Sequence, residues 1–167
     1  MKNIVLIGMP GAGKSTIGVL LAKSLLYSFV DTDLIIQNSY RKSLCDIIAE
    51  KGTDGFLEIE NDTISGCDFE NSVIATGGSA VYGKEAMQKL KENSIFVYLN
   101  LPLAELESRI ADIKTRGVAM KNGTTLADLY EERKPLYEQY ADFTLDCTGL
   151  TPEQCVEMIV NYSSSLC

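Results

Sequence analysis

Residues 8–15 read Gly8-Met9-Pro10-Gly11-Ala12-Gly13-Lys14-Ser15, a complete G-x-x-x-x-G-K-S octapeptide. Ahead of it lies Ile4-Val5-Leu6-Ile7, a short β-branched run suited to a buried strand. Behind it Ile17, Leu20, Leu21 and Leu25 fall at i, i+3, i+4 and i+8, the spacing of one helix face. Strand, glycine loop and helix in that order predict a phosphate-binding loop. Its glycines let backbone N–H groups turn toward phosphate oxygens, and the helix N-terminus adds partial positive charge. Lys14 is placed to reach the β- and γ-phosphates of a nucleotide, and the Ser15 hydroxyl to ligate Mg²⁺.

Working outward, further strand-like runs occur near Ser28–Asp31, Ser72–Thr76, Ile95–Leu99 and Phe143–Asp146, with helical patterns between them. Strands alternating with helices predict an α/β fold, a three-layer sandwich whose parallel sheet is covered on both faces. Ligands of such sheets bind at the C-terminal strand ends, which here carry Gly8, Asp31, Gly77 and Leu101. Thr125 with Asp128, and Thr151-Pro152 with Gln154, have capping-box spacing and mark two helix starts. Pro135, inside the helix that Thr125 opens, predicts a kink or break.

Composition narrows the function. The 167 residues, 46% hydrophobic and 23% charged, suit one domain spanning 1–167. No apolar run has the length of a membrane span, and the apolar run at the N-terminus is too short for a signal peptide, so a cytoplasmic, membrane-free protein is expected. A net charge of −8 without a basic stripe argues against nucleic acid as a partner. The five cysteines form no C-x-x-C pair and are expected to be reduced and mostly buried. The chain has no histidine, so any proton acceptor is a carboxylate or the substrate itself. No dimerisation stripe is evident, and a monomer is expected.

Asp31-Thr32-Asp33 follows Phe29-Val30. Residues two apart on extended chain point the same way, which predicts two carboxylates facing the site from a strand end. One of them suits second-shell or water-mediated contact with Mg²⁺, and the other suits orienting or deprotonating an attacking hydroxyl. Thr76-Gly77-Gly78-Ser79 ends the next strand and offers backbone N–H groups to the same crevice. Residues 114–124 hold Lys114, Arg116, Gly117, Lys121 and Gly123 with little periodicity, a basic loop suited to closing over a nucleotide as a lid.

These residues resemble the shikimate kinases, a family within the nucleoside-monophosphate-kinase-like group. The resemblance runs from the glycine loop through Asp31-Thr32-Asp33, Gly52…Phe56…Glu60 and Gly77-Gly78. It continues through Arg109, Arg116 and Glu132-Arg133-Lys134-Pro135-Leu136-Tyr137 to Thr151-Pro152. It implies a five-stranded parallel sheet of order 2-3-1-4-5, a lid, and a substrate-binding helical region at about 32–60. It implies ATP and Mg²⁺ as cofactors and a small hydroxylated metabolite as acceptor, shikimate first. On the nucleotide side it places Gly11, Ala12, Gly13, Lys14, Ser15 and Thr16, with Arg109 against adenine, Pro152 nearby and Arg116 in the lid. Lys14, Asp33 and Arg116 become the catalytic candidates, and Ser15 and Asp31 the metal candidates. Asp33, Gly77, Gly78, Ser79, Arg133 and position 57 become the acceptor candidates.

Three departures stand out. The family's Phe-Arg-x-x-Glu is Phe56-Leu57-Glu58-Ile59-Glu60, so leucine replaces an arginine that pairs with the acceptor carboxylate. The third glycine of the family's run is Ser79, and its lid Arg-Pro is Arg116-Gly117. Arg133 alone remains for the carboxylate, with Lys134 able to serve only as a point charge. Two alternatives therefore stay open: a kinase of this fold for another polyol or hydroxy acid, and a nucleotide-binding protein with little transfer.

Overall fold

A computed structural model describes residues 2–110 and 117–166. Five strands, β1 (Asn3–Ile7), β2 (Ser28–Asp31), β3 (Ser72–Ala75), β4 (Ser94–Asn100) and β5 (Phe143–Asp146), form one sheet in the order β2-β3-β1-β4-β5. All four neighbouring pairs are parallel. The expected strand order is the observed one. Every residue of β1 and β3 is buried, as an apolar run covered on both faces requires, whereas the edge strands β2 and β5 are partly open.

The helices are α1 (Lys14–Leu25), α2 (Thr32–Tyr40), α3 (Leu44–Ser65), α4 (Lys84–Lys91), α5 (Leu103–Arg109), α6 (Leu126–Tyr140) and α7 (Pro152–Ser164). Helix α1 buries Ile17, Gly18, Leu21 and Ala22 and packs beside α7, while α3 packs against α4. A main core of Leu6, Ile7, Ile17, Leu21, Phe96 and Leu99 with their neighbours surrounds the sheet. A smaller cluster of Ile36, Leu44, Ile47, Phe56 and Ala119 lies under α2 and α3. Two separate apolar clusters give α2 and α3 their own footing beside the main core.

Both expected capping boxes form: Thr125 with Asp128 opens α6, and Thr151 with Gln154 opens α7. Two expectations are corrected. Helix α6 runs unbroken through Pro135. That proline is exposed, so the Glu131 carbonyl it leaves without a partner meets water, and burial of Arg133 and Tyr137 holds the helix together. Asp33 lies in the first turn of α2, not on extended chain. The strand stops at Asp31 because its carboxylate accepts the Asp33 N–H and caps the helix. Of the described cysteines, Cys147 and Cys155 are buried, while Cys45 and Cys67 are half-buried.

Candidate active site

The C-terminal ends of β1, β2 and β3 meet at a cleft of about 590 Å³. Its wall includes Gly11, Gly13, Lys14, Ser15 and Thr16 from the glycine loop and α1, and Asp31 and Asp33 from β2 and α2. Gly77, Gly78 and Ser79 close it behind β3, Arg133 reaches it from α6, and Arg109 from α5. These five stretches of sequence converge because the parallel sheet points all its strand ends one way.

The glycine loop is shaped for this place. Gly13 has φ 98° and starts α1 in the left-handed region, where a side chain is strained. Lys14 is buried and its Nζ donates to the Gly8 and Met9 carbonyls at 2.7 and 2.9 Å. Burial lowers its pKa from 10.5 to about 8, against the opposing pull of Asp33. Arriving phosphate oxygens would push it back up. Ser15 Oγ donates to Asp31 Oδ2 at 2.9 Å on the open side of the cleft.

The α2–α3 side of the cleft is richer in carboxylates than the sequence signals alone suggested. Asp33 is pushed up to about 6 by burial and by Asp31, with Lys14 opposing. Glu60, 1% exposed on α3, is pushed up to about 7 by burial. Its Oε2 accepts the Ser79 hydroxyl at 2.6 Å, while its Oε1 is buried without a hydrogen-bond partner. A Cβ on Gly77 would lie 2.5 Å from that Oε1 and 2.7 Å from Asp33 Oδ1. The two oxygens are therefore no farther apart than the sum of those distances. Only glycine lets the β3–α4 connection pass between the two acids.

Gly77 donates its N–H to Thr32 Oγ1 at 3.2 Å, so that N–H is already engaged. Arg133, 1% exposed, donates from Nη2 to the Ala119 carbonyl at 2.7 Å. A Cβ on Gly78 would sit 3.0 Å from its Nη1. Tyr137, one turn along α6, donates to the Gly78 carbonyl at 2.6 Å. Arg109 is partly spent on Glu105, at 2.7 Å.

The family model for shikimate kinase matches residues 10–163. A shikimate kinase of Persephonella marina is 37% identical over 161 residues, covering 96% of this chain and 98% of that protein. The chain belongs to the shikimate kinase family. A shikimate kinase from Acinetobacter baumannii, solved in complex with shikimate, superposes with a TM-score of 0.89 at 29% identity, covering 99% of this chain and 94% of that one. Threonine synthase-like 1 of Homo sapiens is 34% identical over 163 residues, which are 96% of this chain but 22% of that protein.

Within the family frame, most of the expected site residues line one cleft. Leu57 does not: it is half-buried and lines a separate groove with Glu58, Asn61 and Tyr82. Pro152 begins α7 and is not on the cleft wall. Arg116 and Lys114 lie outside the described residues, whereas Gly117, Val118 and Ala119 of the expected lid line the cleft. Residue-by-residue reading passed over Tyr82 and the role of Tyr137. Tyr137 is four residues from Arg133, a helix-face neighbour, but no spacing rule brings Tyr82 to Arg133 across 51 positions.

Proposed function

We propose that this protein transfers the γ-phosphoryl group of ATP to a hydroxyl of shikimate. One observation carries the reading: the glycine loop with Lys14, the Asp33 carboxylate and the Arg133 guanidinium line a single cleft. Phosphoryl transfer rests chiefly on positioning and charge stabilisation, and these groups supply both.

Glycine-loop N–H groups and Lys14 would hold the β- and γ-phosphates, with Arg109 beside the base and Arg116 in the lid. Arg133 would take the acceptor carboxylate. Asp33 would accept the proton of the attacking hydroxyl as that oxygen bonds to the γ-phosphorus and the bond to the β-bridging oxygen breaks. Ser15 and Asp31 offer hard oxygen donors 2.9 Å apart, a set that fits Mg²⁺ retaining waters and phosphate oxygens as its other ligands. Mg²⁺ would supply neutralisation of charge developing on those phosphates. A cytoplasmic setting fits Cys67, Cys147 and Cys155, which are free thiols.

A second reading, a hydroxylated acceptor without the shikimate carboxylate, is favoured by Leu57 in the family's arginine position. The test is ADP release with Mg-ATP, with and without saturating shikimate. A large shikimate-dependent rate is expected. No stimulation, with ATP binding measured separately, refutes the shikimate reading and turns the search to acceptors lacking that carboxylate.

A further inference from the structure

With leucine at position 57, recognition of an acceptor carboxylate falls on one guanidinium. Among the described residues lining the cleft, the cations are Lys14 and Arg109 on the nucleotide side and Arg133 on the acceptor side. A single arginine reads a carboxylate well only if its planar fork is held in one orientation. What holds it decides how well the acceptor binds.

Two of the contacts fixing that fork come from Tyr82, which follows β3 in a short 3₁₀ turn at Ala80–Tyr82. Arg133 Nε donates to the Tyr82 hydroxyl at 3.4 Å. The guanidinium carbon lies 5.4 Å from the centre of the Tyr82 ring, within cation–π range. The Tyr82 hydroxyl in turn donates to the Glu132 carboxylate. Donation to a carboxylate enriches the phenol oxygen and makes it a better acceptor for Nε. Burial and Glu132 raise the Tyr82 hydroxyl above its ordinary range, so it keeps the proton this chain needs. With Nη2 tied to the Ala119 carbonyl, Nη1 is the end turned toward Gly78.

We propose that Tyr82 is a positioning residue for acceptor recognition, holding the Arg133 guanidinium with its Nη1 edge toward the acceptor through the chain Arg133–Tyr82–Glu132. The inference rests on the shikimate reading. It makes the groove between α3 and α4 part of the specificity apparatus, since Leu57 and Tyr82 share its wall.

Arg133 meets the acceptor carboxylate in the ground state and the transition state alike, so loosening it raises KM and spares kcat. The experiment compares wild type, Tyr82→Phe, Tyr82→Ala and Glu132→Gln by steady-state kinetics in both substrates, with shikimate affinity by calorimetry. Tyr82→Phe keeps the ring and loses the bond to Nε; its KM for shikimate should rise about threefold to tenfold. Tyr82→Ala loses both contacts and should rise further, by about tenfold to thirtyfold. Glu132→Gln, which leaves the ring in place, should show the smallest rise. In all three, KM for ATP should be unchanged and kcat within about twofold.

A KM for shikimate within about twofold of wild type in Tyr82→Ala overturns the role of Tyr82. So does an equal loss of kcat/KM for both substrates, which marks general structural damage. A wild type that neither binds nor phosphorylates shikimate overturns the underlying reading itself.

Discussion

Replacing Glu60 with glutamine isolates the energetic cost of the acid buried behind the acceptor wall. Glu60 is 1% exposed, keeps one hydrogen bond to Ser79, and has an oxygen with no partner. Burial moves its pKa from 4.5 to about 7; the Ser79 bond, Arg133 and Lys14 oppose this and Asp33 adds to it. The folded pKa is raised, so between those values the folded protein holds a proton that the unfolded chain has released. Stability from this group is therefore greatest at low pH and falls as pH rises through the window. A shift of this size corresponds to about 3 kcal/mol in all, most of it lost between about pH 5 and pH 8. Asp33 acts in the same direction with its pKa near 6 and remains in the variant, so most of its contribution cancels in the comparison. A glutamine amide left partly unpaired costs a constant ~1 kcal/mol at every pH. The observable is thus the slope and not the absolute stability. Urea unfolding of both proteins at four pH values should show wild type losing about 2–3 kcal/mol more than Glu60→Gln from pH 5 to pH 8. Equal slopes would refute the picture of an acid held neutral by burial between Ser79 and Gly77.

Two further tests address the acceptor and the lid. Leu57→Arg restores a cation one helical turn before Glu60, and kcat/KM for shikimate should rise about tenfold or more, the worth of a hydrogen bond to a charged group, with KM for ATP unchanged. No rise would mean that an arginine at 57 stays in the groove that Leu57 lines or that Arg133 already satisfies the acceptor. Residues 114–124 should be cut more slowly by trypsin in the presence of a non-hydrolysable ATP analogue, as for a lid that closes on nucleotide; equal cutting rates with and without it would remove the lid assignment.

Much of the fold was legible because its signals are local. The runs at 28–31 and 143–146 are the observed strands to the residue; a short run of β-branched and aromatic residues bounded by polar turn residues declares a strand even at a partly open edge. The capping boxes at Thr125 and Thr151 were equally readable, since each cap satisfies orphan N–H groups within one turn. Pro135 misled for a corresponding reason. The local rule counts a missing N–H, but the neighbouring carbonyl it orphans is dangerous only if buried, and exposure is a tertiary property. Asp31-Thr32-Asp33 shows the same limit: two acids were placed in the right cleft by an extended-chain argument, although one of them caps the helix that carries the other.

The two halves of the site were legible to different depths because they are built differently. The nucleotide half is one continuous loop, and its chemistry is written in backbone conformation: Gly13 at φ 98° and Lys14 folded onto its own loop carbonyls are consequences of a single octapeptide. The acceptor half is assembled from α2, α3, the β3–α4 connection and α6, and its decisive contacts join residues 19, 51 and 59 positions apart. Family likeness supplies Arg133 and Glu60 as members of that half. It does not say that Ser79, standing where the family has glycine, bonds the glutamate whose helix carries Leu57, or that Tyr82 steadies the remaining arginine. Ser79 thus meets the buried Glu60 directly, and Leu57 stands one helical turn before that acid on α3. Ser79 donates a hydrogen bond to Glu60 that favours its ionised form, offsetting in part the cation that Leu57 does not supply. On this argument Ser79 and Leu57 are coupled. An arginine introduced at 57 should draw the pKa of Glu60 back down and weaken the need for the serine, and the effect of Ser79→Gly on shikimate KM should be smaller in the Leu57→Arg background than in wild type.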